Sequence, residues 1–279
     1  MDFIEIRVRF SEIEPWKDVF VSLLAEIGFD SFCDGEDEAE LCGYVREDLY
    51  DEEATQSLME EHGYPVETKY FISKVESQDW NAVWESNYEP VKIGQCYIRA
   101  PFHKPCAEAE YEIIIEPKMS FGTAHHETTS LMIEYLLGEE ISGKEVLDMG
   151  AGTGVLAILA HKRGAARVVA IDNDEWAYRN NLENNEKNGI TDMTVILGDA
   201  ESIGAEKFDV IIANINRNIL LNDMHAYADA LKDGGVIFLS GFYADTDLPI
   251  ITECCNNLNL KYISHKEKNR WCAAKLAKA

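Results

Sequence analysis

Glycine stands at every second position in Asp148-Met149-Gly150-Ala151-Gly152-Thr153-Gly154, between the apolar pairs Val146-Leu147 and Val155-Leu156. Residues without side chains let a ligand lie against bare backbone, and a strand-to-helix turn points free N–H groups at it. This suits a nucleotide-bearing cofactor. The dinucleotide fingerprint needs its third glycine where Val155 stands, so the NAD pattern fails. A second apolar run, Arg167 to Ile171, ends in Asp172, whose carboxylate can accept hydrogen bonds from a ribose diol. Two more apolar runs end in Gly198-Asp199-Ala200 and Ala213-Asn214-Ile215-Asn216. Any one Asp or Asn in a loop is commonly a turn former, but polar residues after four successive runs argue for a shared ligand crevice.

The segment Ser120-Phe121-Gly122-Thr123-Ala124-His125-His126-Glu127-Thr128-Thr129-Ser130 is the other concentration of reactive groups. Adjacent histidines cannot share one helix face, so a metal is not expected, and Thr128 and Thr129 also fit a helix start with hydroxyl capping.

The elements that must position these groups follow from apolar periodicity. Residues 3–10 alternate as a strand, and a helix opens at Glu14-Pro15-Trp16 and stops at Gly28. Strands near 31–34 and 40–46, a helix over about 51–62 and a strand over 66–75 complete a βαββαβ order, the ferredoxin-like arrangement. Residues 76–90 read as a helical linker with Trp80 and Trp84 on one face. Strands near 96–100 and 111–116 and a helix near 126–137 lead into repeated βα units: strand 145–149, helix 154–163, strand 167–171, helix 174–188, strands 193–197 and 208–213, helix 217–231, strand 235–240 and helix 247–257. Such alternation implies a parallel sheet covered on both faces. Two last strands, 260–265 and 270–276, joined by Lys266-Glu267-Lys268-Asn269, make the final strand antiparallel. The chain therefore divides into 1–75, a linker over 76–90 and 91–279.

The chain has 279 residues with 25 basic and 51 acidic side chains, a formal charge of -26. Residues 1–80 alone hold 22 acids against 6 bases, which serves solubility or attracts a basic partner. Nucleic acid and anionic membranes are repelled, so neither is expected as a partner. Seven cysteines without a CxxC pair fit a reduced cytoplasm, and no apolar run reaches membrane-spanning length.

The glycine turn, the spacing to Asp172 and the sheet pattern resemble class I methyltransferases. The resemblance implies an α/β fold: a seven-stranded, Rossmann-like sheet with an antiparallel last strand, preceded by the small ferredoxin-like α+β domain. It also implies S-adenosylmethionine (SAM) as cofactor, with Gly150 and Gly152 near its methionine part, Asp172 at the ribose, Asp199 at the adenine amine and Asn214 beside the sulfonium. Phe121 to Thr129, Asp148 to Ile158, Ala170-Ile171-Asp172 and Ala213-Asn214-Ile215 together resemble the ribosomal protein L11 methyltransferases (PrmA). That family's cofactor contacts carry over to Thr129, Gly150, Asp172 and Asn214, and Asn214 is the candidate catalytic residue. Ala124 departs from the family's usual glycine.

The implied activity is methylation of lysine side chains and the N-terminal amine of a basic ribosomal protein, with residues 1–75 as recognition domain. Asn214 is then expected to orient the amine, and His125 or His126 to relay its proton. Asn214-Ile215-Asn216-Arg217 lacks the Asn-Pro-Pro-aromatic signature of amide and ring-nitrogen methylation. The competing readings are a methyltransferase of the same fold acting on RNA or a small molecule, and a non-catalytic SAM-binding adaptor. The oligomeric state is not legible.

Overall fold

The computed structural model describes residues 2–35, 37, 39–61, 63–75, 88–118 and 125–279. The chain divides into two compact units, Met1–Asn87 and Tyr88–Ala279. The helix expected over the linker, with Trp80 and Trp84, lies outside the described residues.

In the first unit, β1 (Phe3–Phe10), α1 (Trp16–Glu26), β2 (Ser31–Asp34), β3 (Glu40–Arg46), α2 (Glu52–Glu61) and β4 (Thr68–Val75) follow the βαββαβ order. The sheet runs β2-β3-β1-β4 and is antiparallel throughout. Ile6, Val8, Phe20 and Leu24 are buried where alternate residues of β1 meet the apolar face of α1. Gly28 ends the helical segment at φ +103, a conformation that residues with a Cβ rarely adopt.

The second unit begins with a three-stranded sheet, β5 (Val91–Ile93), β6 (Cys96–Arg99) and β7 (Tyr111–Ile114). The sequence reading missed β5, whose three residues are too few to show a period. Helix α3 (Glu127–Gly138) precedes the main sheet, which comprises β8 (Glu145–Met149), β9 (Arg167–Asp172), β10 (Thr194–Leu197), β11 (Phe208–Asn214), β12 (Leu231–Tyr243), β13 (Leu260–Lys268) and β14 (Trp271–Lys278). The helices α4 (Val155–Lys162), α5 (Glu175–Lys187), α6 (Arg217–Ala230) and α7 (Leu248–Asn256) alternate with its strands. The strand order is β10-β9-β8-β11-β12-β14-β13, with β14 antiparallel to both neighbours. Apolar layers cover both faces. One joins β8 and β11 to α3 and α4, and the other joins the sheet to α6 and α7.

Among the boundaries that differ from the sequence reading, two have a clear physical reason. The closing hairpin turns through two residues, Asn269 and Arg270, both at positive φ, where a four-residue connection over 266–269 was expected. Two left-handed residues match the twist of paired strands, so β13 extends to Lys268. Strand β12 starts at Leu231 where a helix end was expected, because Leu231 already pairs with Phe208 of β11.

Helix α5 buries four asparagines, Asn180, Asn181, Asn184 and Asn185. Asn185 donates to the Asn181 side chain at 3.1 Å, while Asn180 and Asn184 reach backbone groups. Asn184 donates to the carbonyl of Thr153 at 2.9 Å and accepts from the N–H of Glu116 at 2.8 Å. Asn188 just beyond accepts from the N–H of Ile114 and donates to its carbonyl, at 3.0 and 2.7 Å. The amides thus take the place of a neighbouring strand along the free edge of β7. Asn188→Ala leaves both groups of Ile114 without a protein partner and is expected to cost about 1–3 kcal/mol, read from urea denaturation. An unchanged midpoint would show that water replaces the amide fully.

Candidate functional site

The carboxyl ends of β8, β9, β11 and β12 open onto one cleft of about 500 Å³. Gly150, Gly152, Asp172 and Asn214 all line it, as do His126 and Trp271. Asp199 lines an adjoining recess together with Gly150, Asp172 and Ile215.

Each residue is held there by local chemistry. Gly150, Gly152 and Gly154 all take positive φ, at +65, +55 and +79. A Cβ on Gly150 would meet Cγ2 of Ile215 at 2.1 Å, and one on Gly154 would meet the Asn181 amide at 2.7 Å. On the other side of Ile215, a Cβ on Gly241 would stand 2.2 Å from its carbonyl oxygen. Gly241 lies at a register shift in β12 and has φ +95. A glycine just past β8 and another within β12 therefore make room for the residue after Asn214. This also revises the expected role of Gly150, whose missing side chain first of all admits Ile215.

Asp172 at the end of β9 accepts from the N–H of Gly152 at 2.8 Å and, through its other oxygen, from the N–H of Asp174 at 2.9 Å. A carboxylate offers about four acceptor positions, so capacity is left for a ligand. Asp199 caps a short turn by accepting from the N–H of Glu201 at 3.0 Å.

Asn214 donates from Nδ2 to Oγ1 of Thr129 at 3.3 Å. Its Oδ1 is buried and has no partner among the described residues. An acceptor left in that state carries a desolvation cost until a donor arrives. Thr129 is only 1% exposed and stands behind Asn214, while Thr128 lines the cleft.

His126 is the N-cap of α3, its Nδ1 accepting from the N–H of Thr128 at 3.2 Å. The same Nδ1 lies 2.8 Å from the Thr128 hydroxyl, so this nitrogen is engaged at the start of the helix. His125 donates from Nε2 to the carbonyl of Glu89 at 2.9 Å. The amide of Asn269 in the closing turn donates to Glu127 at 2.8 Å, holds that carboxyl below its ordinary range, and ties β13 and β14 to the start of α3. Thr123 and Ala124 lie outside the described residues.

Sequence reasoning missed Trp271, Gly241 and the wedge at Ile215. The signal for Trp271 was its place: it opens the strand paired with the end of β12, where Tyr243 is its partner.

The cleft has a buried acid behind it. Asp148 is 1% exposed, accepts from the N–H of Ala157 at 3.0 Å and has no partner for its second oxygen among the described residues. Burial pushes its carboxyl up to about 8, with Asp172 adding to the effect. The folded chain then keeps a proton that the unfolded chain releases above about 4, so this group lowers stability as pH rises between those values, by at most about 1.4 kcal/mol per pH unit. Asp148→Asn keeps an acceptor for Ala157 and is expected to gain stability relative to the parent between pH 5 and pH 8. Parallel urea midpoints for the two proteins across that range would contradict this.

The family model described as ribosomal protein L11 methyltransferase (PrmA) matches residues 26–279. A ribosomal protein L11 methyltransferase of Bacteroides fragilis is 48% identical over 266 residues, covering 94% of each chain. That of Bacteroides thetaiotaomicron is 47% identical, with the same coverage. The crystal structure of a ribosomal protein L11 methylase from Lactobacillus delbrueckii subsp. bulgaricus superposes with a TM-score of 0.64 at 27% identity, covering 68% of this chain and 99% of that one.

Proposed function

The chain belongs to the ribosomal protein L11 methyltransferase family, and from that premise we propose that it moves methyl groups from SAM to lysine side chains and the N-terminal amine of ribosomal protein L11. The observation that carries the amine reading is the place of Asn214, which lines the cleft at the end of β11 and has an Oδ1 without a partner among the described residues. An amine brings the N–H that this oxygen lacks.

The residues fit the cofactor. Gly150 and Gly152 would lie along its methionine part, Asp172 would take the ribose hydroxyls with the acceptor capacity left by its two backbone bonds, and Asp199 would face the adenine amine. Thr129 acts through Asn214, whose amide it anchors. When bound, SAM supplies an electrophilic methyl group on a sulfonium.

The protein's share of the chemistry is to align a lone pair with that methyl carbon and to keep water out. With Oδ1 accepting one N–H of a neutral amine, Asn214 fixes the direction of the nitrogen lone pair. His126 and His125 are both held by hydrogen bonds at the start of α3, and we assign the proton of the amine to water. The acidic first unit, expected to be the recognition domain over residues 1–75, attracts a basic protein substrate and repels RNA, which favours this reading over an RNA methyltransferase.

Incubation with SAM and purified L11, followed by peptide mass spectrometry, is expected to show methylation on lysines and the N-terminal amine. Label transferred to ribosomal RNA and none to L11 would sink the proposal. Asp172→Ala removes charge-assisted bonds worth about 1.5–3 kcal/mol, and the SAM Kd from calorimetry is expected to rise by one to two orders of magnitude. Unchanged affinity would place the ribose elsewhere.

A further inference from the structure

The aromatic cluster at one end of the cleft has no part in the reading above. Crossing the sheet in strand order, the residues at the strand ends are Asp199, Asp172, Gly150, Asn214 and then Tyr243 with Trp271, which pair across β12 and β14. The nucleotide-directed carboxylates thus lie on one side of Asn214 and the indole of Trp271 on the other, in the same cleft. The Trp271 ring centroid is 4.5 Å from that of Tyr243 and 4.8 Å from that of His126. The guanidinium of Arg270 rests over Tyr243 at 5.0 Å and is paired with Asp245 at 2.9 Å, so one cation already sits on the outer ring of the cluster. Aromatic rings draw cations through their quadrupole, and more strongly where water is excluded.

We infer that Trp271 is the acceptor-side wall of the cleft and stabilises the positive charge that arrives on the amine nitrogen. The inference rests on the amine-methylating reading. In the transfer, the lone pair of a neutral amine forms the N–C bond while the C–S bond breaks and its electron pair stays on sulfur. Sulfur becomes neutral, and nitrogen carries the positive charge until a proton passes to water. Charge therefore crosses the cleft from the cofactor side toward the indole. An interaction that strengthens as the charge moves lowers the barrier, whereas one of constant strength only aids binding.

With full-length protein, SAM and L11, Trp271→Leu is expected to lower kcat/KM for L11 by about tenfold or more, with the SAM Kd within about twofold of the parent. Trp271→Phe keeps a ring and is expected to recover most of the loss. A second arm needs no turnover. With S-adenosylhomocysteine bound, the parent is expected to transfer saturation in NMR to the methyl protons of tetramethylammonium chloride, and Trp271→Leu to lose that transfer, with potassium chloride as the ionic-strength control. A leucine variant with parental kcat/KM, or one losing SAM affinity in step, overturns the inference. Failure of the unaltered protein to methylate L11 would instead strike the proposed function, and the tetramethylammonium arm would then decide on Trp271 alone.

Discussion

The N–H of Gly152 donates to Asp172 across the gap between two neighbouring strands, and the rest of the site depends on that bond. With the bonds from the N–H groups of Gly150 and Ala151 to the carbonyl of Ile171, it fixes a loop that holds three left-handed residues. With the loop in place, Gly150 leaves the room that Ile215 fills, and Gly241 lets the backbone of Ile215 approach from the far strand. Asn214 is then set by packing on both sides of its neighbour and by its own amide bond to Thr129. Rigid positioning of a single acceptor is what a displacement reaction asks of its protein, since a small misplacement of the attacking atom is costly in rate.

Much of this was legible in the chain. Strand periodicity and turn residues gave the order of elements in both units, and the antiparallel end of the main sheet followed from two adjacent apolar runs. Gly150, Gly152, Asp172 and Asn214 were found because strand ends in open sheets converge, and the cleft brings them together. What could not be read were distances between residues far apart in sequence. Nothing local to Gly241 or Ile215 announces their contact, and nothing in the name of Asp148 says that it is buried beyond the reach of water. The capping bond of His126 was likewise hidden. A histidine before two threonines reads equally as a reactive group or as a helix start, and only the position of Nδ1 decides.

The same limit explains the hairpin. Composition places the turn over Lys266-Glu267-Lys268-Asn269, but the residues that adopt left-handed backbone are chosen by the twist and register of the finished sheet. That choice matters beyond the loop, because Asn269 at the turn reaches Glu127 and thereby joins the last two strands to the helix that carries Thr128 and Thr129.

The asparagine that secures the edge of β7 carries a chemical liability as well as a structural task. Asn188 is followed by Gly189, the pairing in which a side-chain amide is most open to attack by the next backbone nitrogen, with loss of ammonia. In the folded chain that nitrogen is engaged, its N–H donating to the carbonyl of Glu186 at 3.0 Å. Folding therefore slows the ageing of this residue. Once the amide is lost, a carboxylate faces the carbonyl of Ile114 where a donor stood, so the protection is kinetic, a clock set by how often the end of α5 frays and frees the nitrogen of Gly189.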